Sequence, residues 1–495
     1  MAKIKDEKQY QIILKRVEEL MNVVKEDTSP NDPDYVELDL LADLAEEYEI
    51  EHYPVGQPTL SDVLKLRMYE MQLTRKTMIY TIQPPASIDV EIRLPASKSI
   101  SNRILILNAL SNSAHSIENL SDSDDTQVLT NALASLQAGN TTFDVGAAGT
   151  SMRFLTAYLA QREGAWTITG SERMKNRPIR ILVDSLRETG GKIEYIEKEG
   201  FPPLKIYGKK LTGGAIRLNG SVSSQYLSAL MMIAPLTQQG LNIELEGTVI
   251  SRPYIDMTAR LMQTFGVEIF RDGQKIRIKP QIYQPVPFTV ENDWSAASYW
   301  YEIIALAGNS ASVKLAGLEQ NSIQGDAKVA ELFEPMVSTT CHPAVDAGPP
   351  EKGLQIIWGL RVKPAMTVNY NFTNEPDLAQ TLAVTCCLLN TPFHFTGLQS
   401  LRIKETDRIS ALQTELKKLG YVVQTSEAAM EWTGERCQAE ADPVISTYED
   451  HRMAMAFAPV CLKTGKIKIE NPNVVSKSYP GFWGDLRKAG FEISG

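Results

Sequence analysis

"LVDSLRETGGKIEYI", Leu182–Ile196, reads as an amphipathic helix stopped by glycine and followed at once by a strand. The same sentence returns in "ARLMQTFGVEIF" (Ala259–Phe270), "AELFEPMVSTTC" (Ala330–Cys341), "LQTELKKLGYVVQT" (Leu412–Thr425) and "FWGDLRKAGFEISG" (Phe482–Gly495). A weaker copy lies in "LTNALASLQAGNTTFDV" (Leu129–Val145). The units recur roughly every 50 to 80 residues, too long for short-period solenoids and suited to repeated α/β modules. Six modules divide naturally into two domains of three with a cleft between them, and ligands favour such interfaces.

The strand grammar begins near Tyr80, where "SIDVEIRL" alternates Ile88, Val90, Ile92 and Leu94. The segment before it is different. Ile13, Val17, Leu20, Met21 and Val24 recur at helical spacing, as do Leu40, Leu41, Leu44 and Tyr48, with the turn "SPNDPD" (Ser29–Asp34) between them. Ser61 predicts the cap of a third helix over "DVLKLRMYEM". Residues 1–77 are therefore expected to be all-α.

The 495 residues allow two or three domains, and 43% hydrophobic with 22% charged residues is ordinary for a globular protein. No run of about 18 apolar residues predicts a membrane span, and "MAKIKDEKQY" lacks the apolar core of a signal peptide. The expected location is cytoplasmic. Five cysteines (Cys341, Cys386, Cys387, Cys437, Cys461) in mostly apolar surroundings read as reduced, packed thiols, and no Cys/His cluster has zinc spacing. The net charge is −10, and residues 1–77 hold ten basic against seventeen acidic residues. That balance excludes a basic nucleic-acid surface, so any anion site must be built from locally gathered bases.

Such gatherings exist. "LPASKSISNR" (Leu94–Arg103) sets Lys98, Ser99 and Arg103 at a strand-to-helix junction, where free N–H groups and the helix dipole favour an anion. "GAAGTSMR" (Gly146–Arg153) is a small-residue loop whose amides can approach a ligand closely. "RMKNRP" (Arg173–Pro178) packs three basic residues into six. "GSVSSQY" (Gly220–Tyr226) gathers serines before an apolar helix. "KETDR" (Lys404–Arg408) puts Lys404 and Arg408 one helical turn apart beside Glu405, and "EDHRMAM" (Glu449–Met455) places His451 and Arg452 ahead of an apolar run. Each alone is what a capped helix or solvated face looks like. Their recurrence points to phosphate or carboxylate held by arginines, with lysines and carboxylates for proton transfer. Nothing matches a Walker A loop.

Taken in order with "SRPYID" and "NSIQGD", these motifs resemble the 5-enolpyruvylshikimate-3-phosphate synthase family over about Ile79 to the C-terminus. The resemblance implies a two-domain inside-out α/β barrel, six βαβαββ repeats with three per domain, beside the helical appendage. Residues 97–291 would form one domain, and 78–96 plus 292–495 the other, the chain crossing near Ser97 and Glu291. It implies transfer of the enolpyruvyl group of phosphoenolpyruvate to the 5-hydroxyl of shikimate 3-phosphate, with release of phosphate and without metal or organic cofactor. Shikimate 3-phosphate would meet Lys98, Ser99, Arg103, Ser223, Ser224, Gln225, Ser251, Asp377 and Lys404, with Tyr254 nearby. Phosphoenolpyruvate would meet Lys98, Gly149, Arg177, Gln225, Arg408, Arg452 and Lys477.

An enol ether becomes electrophilic at C2 only when its methylene gains a proton, so Glu405 is implied as acid and Asp377 as base, with Lys98 assisting collapse of the intermediate. A Glu405 that stays protonated near neutrality is expected to have a raised pKa in the closed site. Shikimate 3-phosphate is expected to draw the mutually repelling halves together. Three positions depart from the family pattern: Ala147 and Ser400 where Asn is common, and Phe154 where Pro is. The sister enolpyruvyl transferase acting on UDP-N-acetylglucosamine is an alternative, although it usually carries a cysteine in the loop matching "SERMKNRP", which here has none.

Residues 1–77 have no counterpart there. "DYVELDLLADLAEEYEIEHYP" and "VLKLRMYEMQLTRKT" are similar to the start of antitoxin-type XRE regulators, but the text breaks off before a recognition helix. The segment is expected to act as an interaction surface for a protein partner, or as a tether, attached to a monomeric enzyme. A non-enzymatic regulator fused to an inactive enzyme is the other-class alternative.

Overall fold

The computed structural model describes residues 4, 6–21, 32–52, 78–221, 223–336, 338–343, 353–359 and 367–495. Two compact units result, Met1–Thr77 and Met78–Gly495.

The first unit contains helices Glu7–Met21 and Pro33–His52. They run antiparallel: Tyr10 stacks on Tyr48 with ring centroids 4.9 Å apart, while Arg16 donates through Nε and Nη2 to the two oxygens of Glu37, both at 2.9 Å. Tyr10, Ala45 and Tyr48 form the small core. Leu40, expected to face inward, is instead exposed. At about 100° per residue, Leu41, Leu44, Ala45 and Tyr48 share a face and Leu40 falls a quarter turn away. The helix expected from Ser61, and Val24, lie outside the described residues.

The second unit is mixed α/β, with five four-stranded sheets and one two-stranded sheet among the described residues. One sheet displays the plan. Thr142–Asp144 and Gly164–Thr169 are parallel and joined by helix Gly149–Gln161; Lys192–Tyr195 and Leu204–Gly208 then form a hairpin whose second strand pairs with Gly164–Thr169. This is a βαβαββ unit, and the quoted helix–glycine–strand stretch is its second half. Glycine is needed at that stop because the chain turns with positive φ there, +82° at Gly266 and +88° at Gly420.

Two units are assembled from distant chain segments. Ile88–Arg93 pairs in parallel with Ala311–Ala316, about two hundred residues later in the chain. Ile79–Gln83 supplies an inner strand to the sheet of Val444–Ile445, Ile467–Glu470 and Glu492–Ser494, so the start of the unit completes its end. The weak copy is also explained. Its helix Asp124–Gln137 leads straight into Thr142–Asp144 of the next sheet, with no hairpin of its own.

Hydrophobic residues collect in two clusters. One draws on residues 96–290, the other on residues 82–94 together with 294–491. The two chain passages between them lie side by side: Ser97 N donates to Glu291 O and Asp293 N to Pro95 O, both at 2.9 Å. Asn292 secures this pair, donating to Leu94 O (2.8 Å) and Ala316 O (3.1 Å) and accepting from Asn119 Nδ2 (2.8 Å). Gln324 adds a second fastening, from Nε2 to Asn292 O (2.7 Å) and from Ser97 Oγ to its Oε1 (2.9 Å).

Gly317 makes that packing possible, since its φ is +84° and a Cβ there would overlap the Asn292 amide. Gly317→Ala should therefore destabilise the protein by about 2 kcal/mol, read as a lower urea midpoint. An unchanged midpoint would show that the clamp tolerates a side chain.

Candidate active site

A cavity of about 410 Å³ lies where the two clusters face each other. Several helices begin at its wall, among them Lys98–Leu110, Gly149–Gln161, Ser224–Ile233, Arg252–Thr264, Arg408–Lys418 and His451–Phe457. Each brings unsatisfied N–H groups and the positive end of a dipole, which is favourable for anions.

All of the residues expected at the site line this one cavity: Lys98, Ser99, Arg103, Gly149, Arg177, Ser223, Ser224, Gln225, Ser251, Asp377, Lys404, Glu405, Arg408, Arg452 and Lys477. Ser223 caps its helix by accepting from Gln225 N (3.4 Å), and Gln225 Nε2 donates to Thr150 Oγ1 (3.2 Å). Ser251 adopts a left-handed φ of +54° and donates through N to Thr373 O (2.7 Å), across the cavity rim. A Cβ at Gly149 would press on the guanidinium groups of Arg153 and Arg177, which would have to shift to admit it.

The charges form a graded set. Arg408 is buried at its centre. Its Nε donates to Asp450 Oδ2 (2.6 Å), Nη1 to Asp377 Oδ1 (2.8 Å) and Nη2 to Glu405 Oε2 (2.7 Å). Asp377 also pairs with Arg452 (3.1 Å) and Lys404 (3.5 Å) and accepts from Tyr254 OH (3.2 Å). Burial pushes the Asp377 carboxyl up, but Arg452, Lys404 and Arg408 outweigh it and hold it well below the usual carboxylate range. Arg177 is pulled down to about 10 by burial and by its neighbour Arg153. Burial likewise lowers Lys477, whose Nζ donates to Glu449 O (2.7 Å). Lys98 Nζ reaches Lys477 O (3.4 Å).

In the substrate-free protein burial pushes the Glu405 carboxyl up, yet Arg408 and Arg177 prevail and hold it well below its ordinary value, so it is ionised there; the expected rise concerns the closed site. One expectation needs correction. Lys404 and Arg408 do not share a helical turn, because Lys404 ends the 3-10 helix Gln399–Ile403 and Arg408 opens the next helix behind its cap Asp407. Arg103 lines the cavity and uses three of its five N–H groups inside the protein, on Thr258 Oγ1 (2.7 Å), Ser99 O (2.8 Å) and Ser228 Oγ (3.0 Å), and burial lowers it to about 10. Its guanidinium lies against the rings of Phe154 (5.5 Å) and Tyr254 (5.8 Å), which explains the aromatic residue at 154. Ala147 and Ser400 stand on the cavity wall.

A family model for EPSP synthase (3-phosphoshikimate 1-carboxyvinyltransferase) matches residues 82–145 and 134–486. The chain belongs to the EPSP synthase family. It is 53% identical over 422 residues to the 3-phosphoshikimate 1-carboxyvinyltransferase of Bacteroides fragilis (strain YCH46), covering 84% of this chain and 99% of the relative. Against the Vibrio cholerae serotype O1 (strain M66-2) protein of that name, identity is 38% over 434 residues, covering 81% and 97%. The fold also matches a solved EPSP synthase from Acinetobacter baumannii with a TM-score of 0.67 at 22% identity, over 85% of this chain and 100% of that one.

In this EPSP synthase family member, several cavity residues escaped the motif reading of charge. Asp125 lines the wall opposite Lys98 and Arg177, and burial raises its carboxyl. Its place in "SDSDD" looks like the acidic first turn of any helix. Asp450 lies behind Arg408, fully buried, while capping helix His451–Phe457 by accepting from Arg452 N (2.9 Å). The cap pattern was visible, but the partner was not. His451 is buried with neither ring nitrogen hydrogen-bonded among the described residues, and burial with the Lys98 and Arg452 charges keeps it neutral. Cys437 is exposed, unlike the buried Cys386, Cys387 and Cys461.

Asp450→Asn would leave the buried guanidinium short of a full charge partner. A loss of about 3 kcal/mol is expected by denaturant unfolding, consistent with breaking a buried pair. Stability within 0.5 kcal/mol of wild type, about the spread of surface substitutions, would show that Asp377 and Glu405 suffice for Arg408.

Proposed function

We propose that the cavity transfers the enolpyruvyl group of phosphoenolpyruvate to the 5-hydroxyl of shikimate 3-phosphate, releasing phosphate. The observation carrying this reading is the meeting of all the expected site residues in one cavity where several helices begin, within a family of that named activity. Residues 97–291 and residues 78–96 with 292–495 act as two domains about the paired passages at Ser97 and Glu291. The two hydrophobic clusters, and the three sheets formed by each half, support that division and the inside-out barrel reading.

Shikimate 3-phosphate takes the side of Lys98, Ser99, Arg103, Ser223, Ser224, Gln225 and Ser251, with Asp377 and Lys404 facing it, and Arg103 also braces Ser99 and helix Arg252–Thr264. Phosphoenolpyruvate takes Arg177, Lys477, Lys98 and the Gly149 amide, with Arg408 and Arg452 shared from the carboxylates. Asp377 accepts the 5-hydroxyl proton. The freed electron pair of that O–H bond forms the C–O bond to C2 once C3 has gained its proton from Glu405. In the collapse of the intermediate Glu405 takes a proton back from C3, the C–H electron pair re-forms the C2=C3 double bond, and the C–O bond to phosphate breaks with its pair leaving on the phosphate.

Glu405 is ionised before substrates arrive, so it has to collect its proton as they bind. The mechanism permits this because substrate anions draw on the same arginines that hold the carboxylate charged. Among the described residues no helix is long and apolar enough to cross a membrane. The enzyme part is read as a cytoplasmic monomer, and Met1–Thr77 as a surface for a protein partner. The curated relatives carry the shikimate name, and the UDP-N-acetylglucosamine alternative is not favoured.

Mixing the two substrates with the full chain should release phosphate. Lys98→Ala should abolish most of it, and Glu405→Gln should lower kcat by about 10²–10⁴ with KM little changed. No phosphate from wild type would overturn the reading. At pH 8, where substrate phosphates are fully ionised, assembling both substrates on Asp377→Asn enzyme should take up about one proton by calorimetry in buffers of different ionisation enthalpy. The uptake should vanish in Asp377→Asn/Glu405→Gln. Persistence there would assign the proton elsewhere.

A further inference from the structure

Asp326 is 3% exposed, and among the described residues it makes no ion pair. Ser295, in helix Trp294–Ala307, donates its hydroxyl to Asp326 Oδ2, while Oδ1 is buried without a hydrogen-bond partner. A carboxyl in that state is costly to bury and requires a reason. Structural service does not provide one. The helix is capped by Asp293, whose Oδ1 accepts from Ser295 N (2.7 Å), and the loop is already fastened by Gln324 and by Ser322 Oγ donating to Glu291 Oε1 (2.7 Å).

The surroundings provide it. The groups facing Asp326 are Asp377 from the 3-10 helix Pro376–Leu378, Arg452 from helix His451–Phe457, Asp293 at the helix cap, Tyr254 from helix Arg252–Thr264 and Tyr370 from strand Val368–Asn371. Burial first, and the Asp377 charge after it, raise Asp326 to about 7. Arg452 gives its Nη2 to Asp377 instead (3.1 Å).

We propose that Asp326 is a positioning residue for the base: a buried negative charge near Asp377 that keeps it a competent proton acceptor. The inference rests on the reading of Asp377 as base. The segment carrying Asp326 packs on helix Arg252–Thr264, where a Cβ at Gly325 would meet Pro253, and the next residue, Tyr254, donates its hydroxyl to Asp377 Oδ2 (3.2 Å). Arg452, Lys404 and Arg408 pair with Asp377 and oppose its protonation. A like charge nearby offsets them, and the repulsion is relieved as Asp377 takes the hydroxyl proton. Gln324, two residues before Asp326, clamps both chain passages, so the joint between the clusters also places this charge.

Asp326 is ionised above about pH 7 and protonated below it. The charge offset is thus present on the alkaline side and lost as pH falls. The test compares kcat for phosphate release between about pH 6 and 8.5 in wild type and Asp326→Asn. At pH 8 the Asn variant should be about tenfold slower with KM within about threefold, and the gap should close toward pH 6. Asp326→Glu should restore part of the rate and of the pH dependence. If Asp326→Asn does not fold, Ser295→Ala decides. Removing a hydrogen bond to the charged form should move the inflection to higher pH, and an unmoved inflection overturns the inference. Parallel profiles for wild type and Asn, or Glu behaving as Asn does, overturn it as well while leaving the catalytic reading intact. Absence of wild-type turnover would overturn both.

Discussion

A guanidinium removed from water must be matched by carboxylates, and Arg408 makes that demand at the centre of this protein. Asp450 meets it from behind, while Asp377 and Glu405 meet it from the cavity. The pairing decides the resting state of the site. Both cavity carboxylates stay ionised, Arg452 and Lys404 are drawn to Asp377, and much of the positive charge is already balanced before any substrate enters. Lys98, Arg103, Arg153, Arg177 and Lys477 line the same cavity without a carboxylate ion pair among the described residues, so one part of the site is charge-balanced in advance and the other is left for anions.

The fold explains why so many anion-binding elements converge. In a βαβαββ unit the helices start at the same end of their sheet, so repeating the unit around a shared cavity brings several helix N-termini to one place. Backbone N–H groups and small residues at Gly149, Ser223 and Ser251 then supply recognition at positions that side-chain chemistry alone would not pick out. The passages at 95–97 and 291–293, held by Asn292 and Gln324, are the seam where this arrangement is joined.

Helix, glycine and strand follow one another locally, so the repeat could be read from stretches such as Leu182–Ile196. Local reading failed where an element depends on a distant partner. Leu40 looked buried because spacing alone carries no direction, and Ile79–Gln83 gives no hint that it completes the sheet ending at Ser494. Asp450 and Asp326 looked like a helix cap and a loop acid, since burial beside a charge many residues away leaves no mark on neighbouring positions.

By itself the amino-acid sequence determined the α/β repeat, the all-α beginning, and which residue types would handle small anions. These are short-range properties, set by periodicity, capping and chemical character. Only the tertiary structure decided who stands next to whom. Glu405 is the acid the motif implies, and in the substrate-free protein the folded chain places Arg408 and Arg177 where they favour its charged form. Electrostatic energy depends on distance through space and on exclusion of water, and neither quantity can be read along the chain.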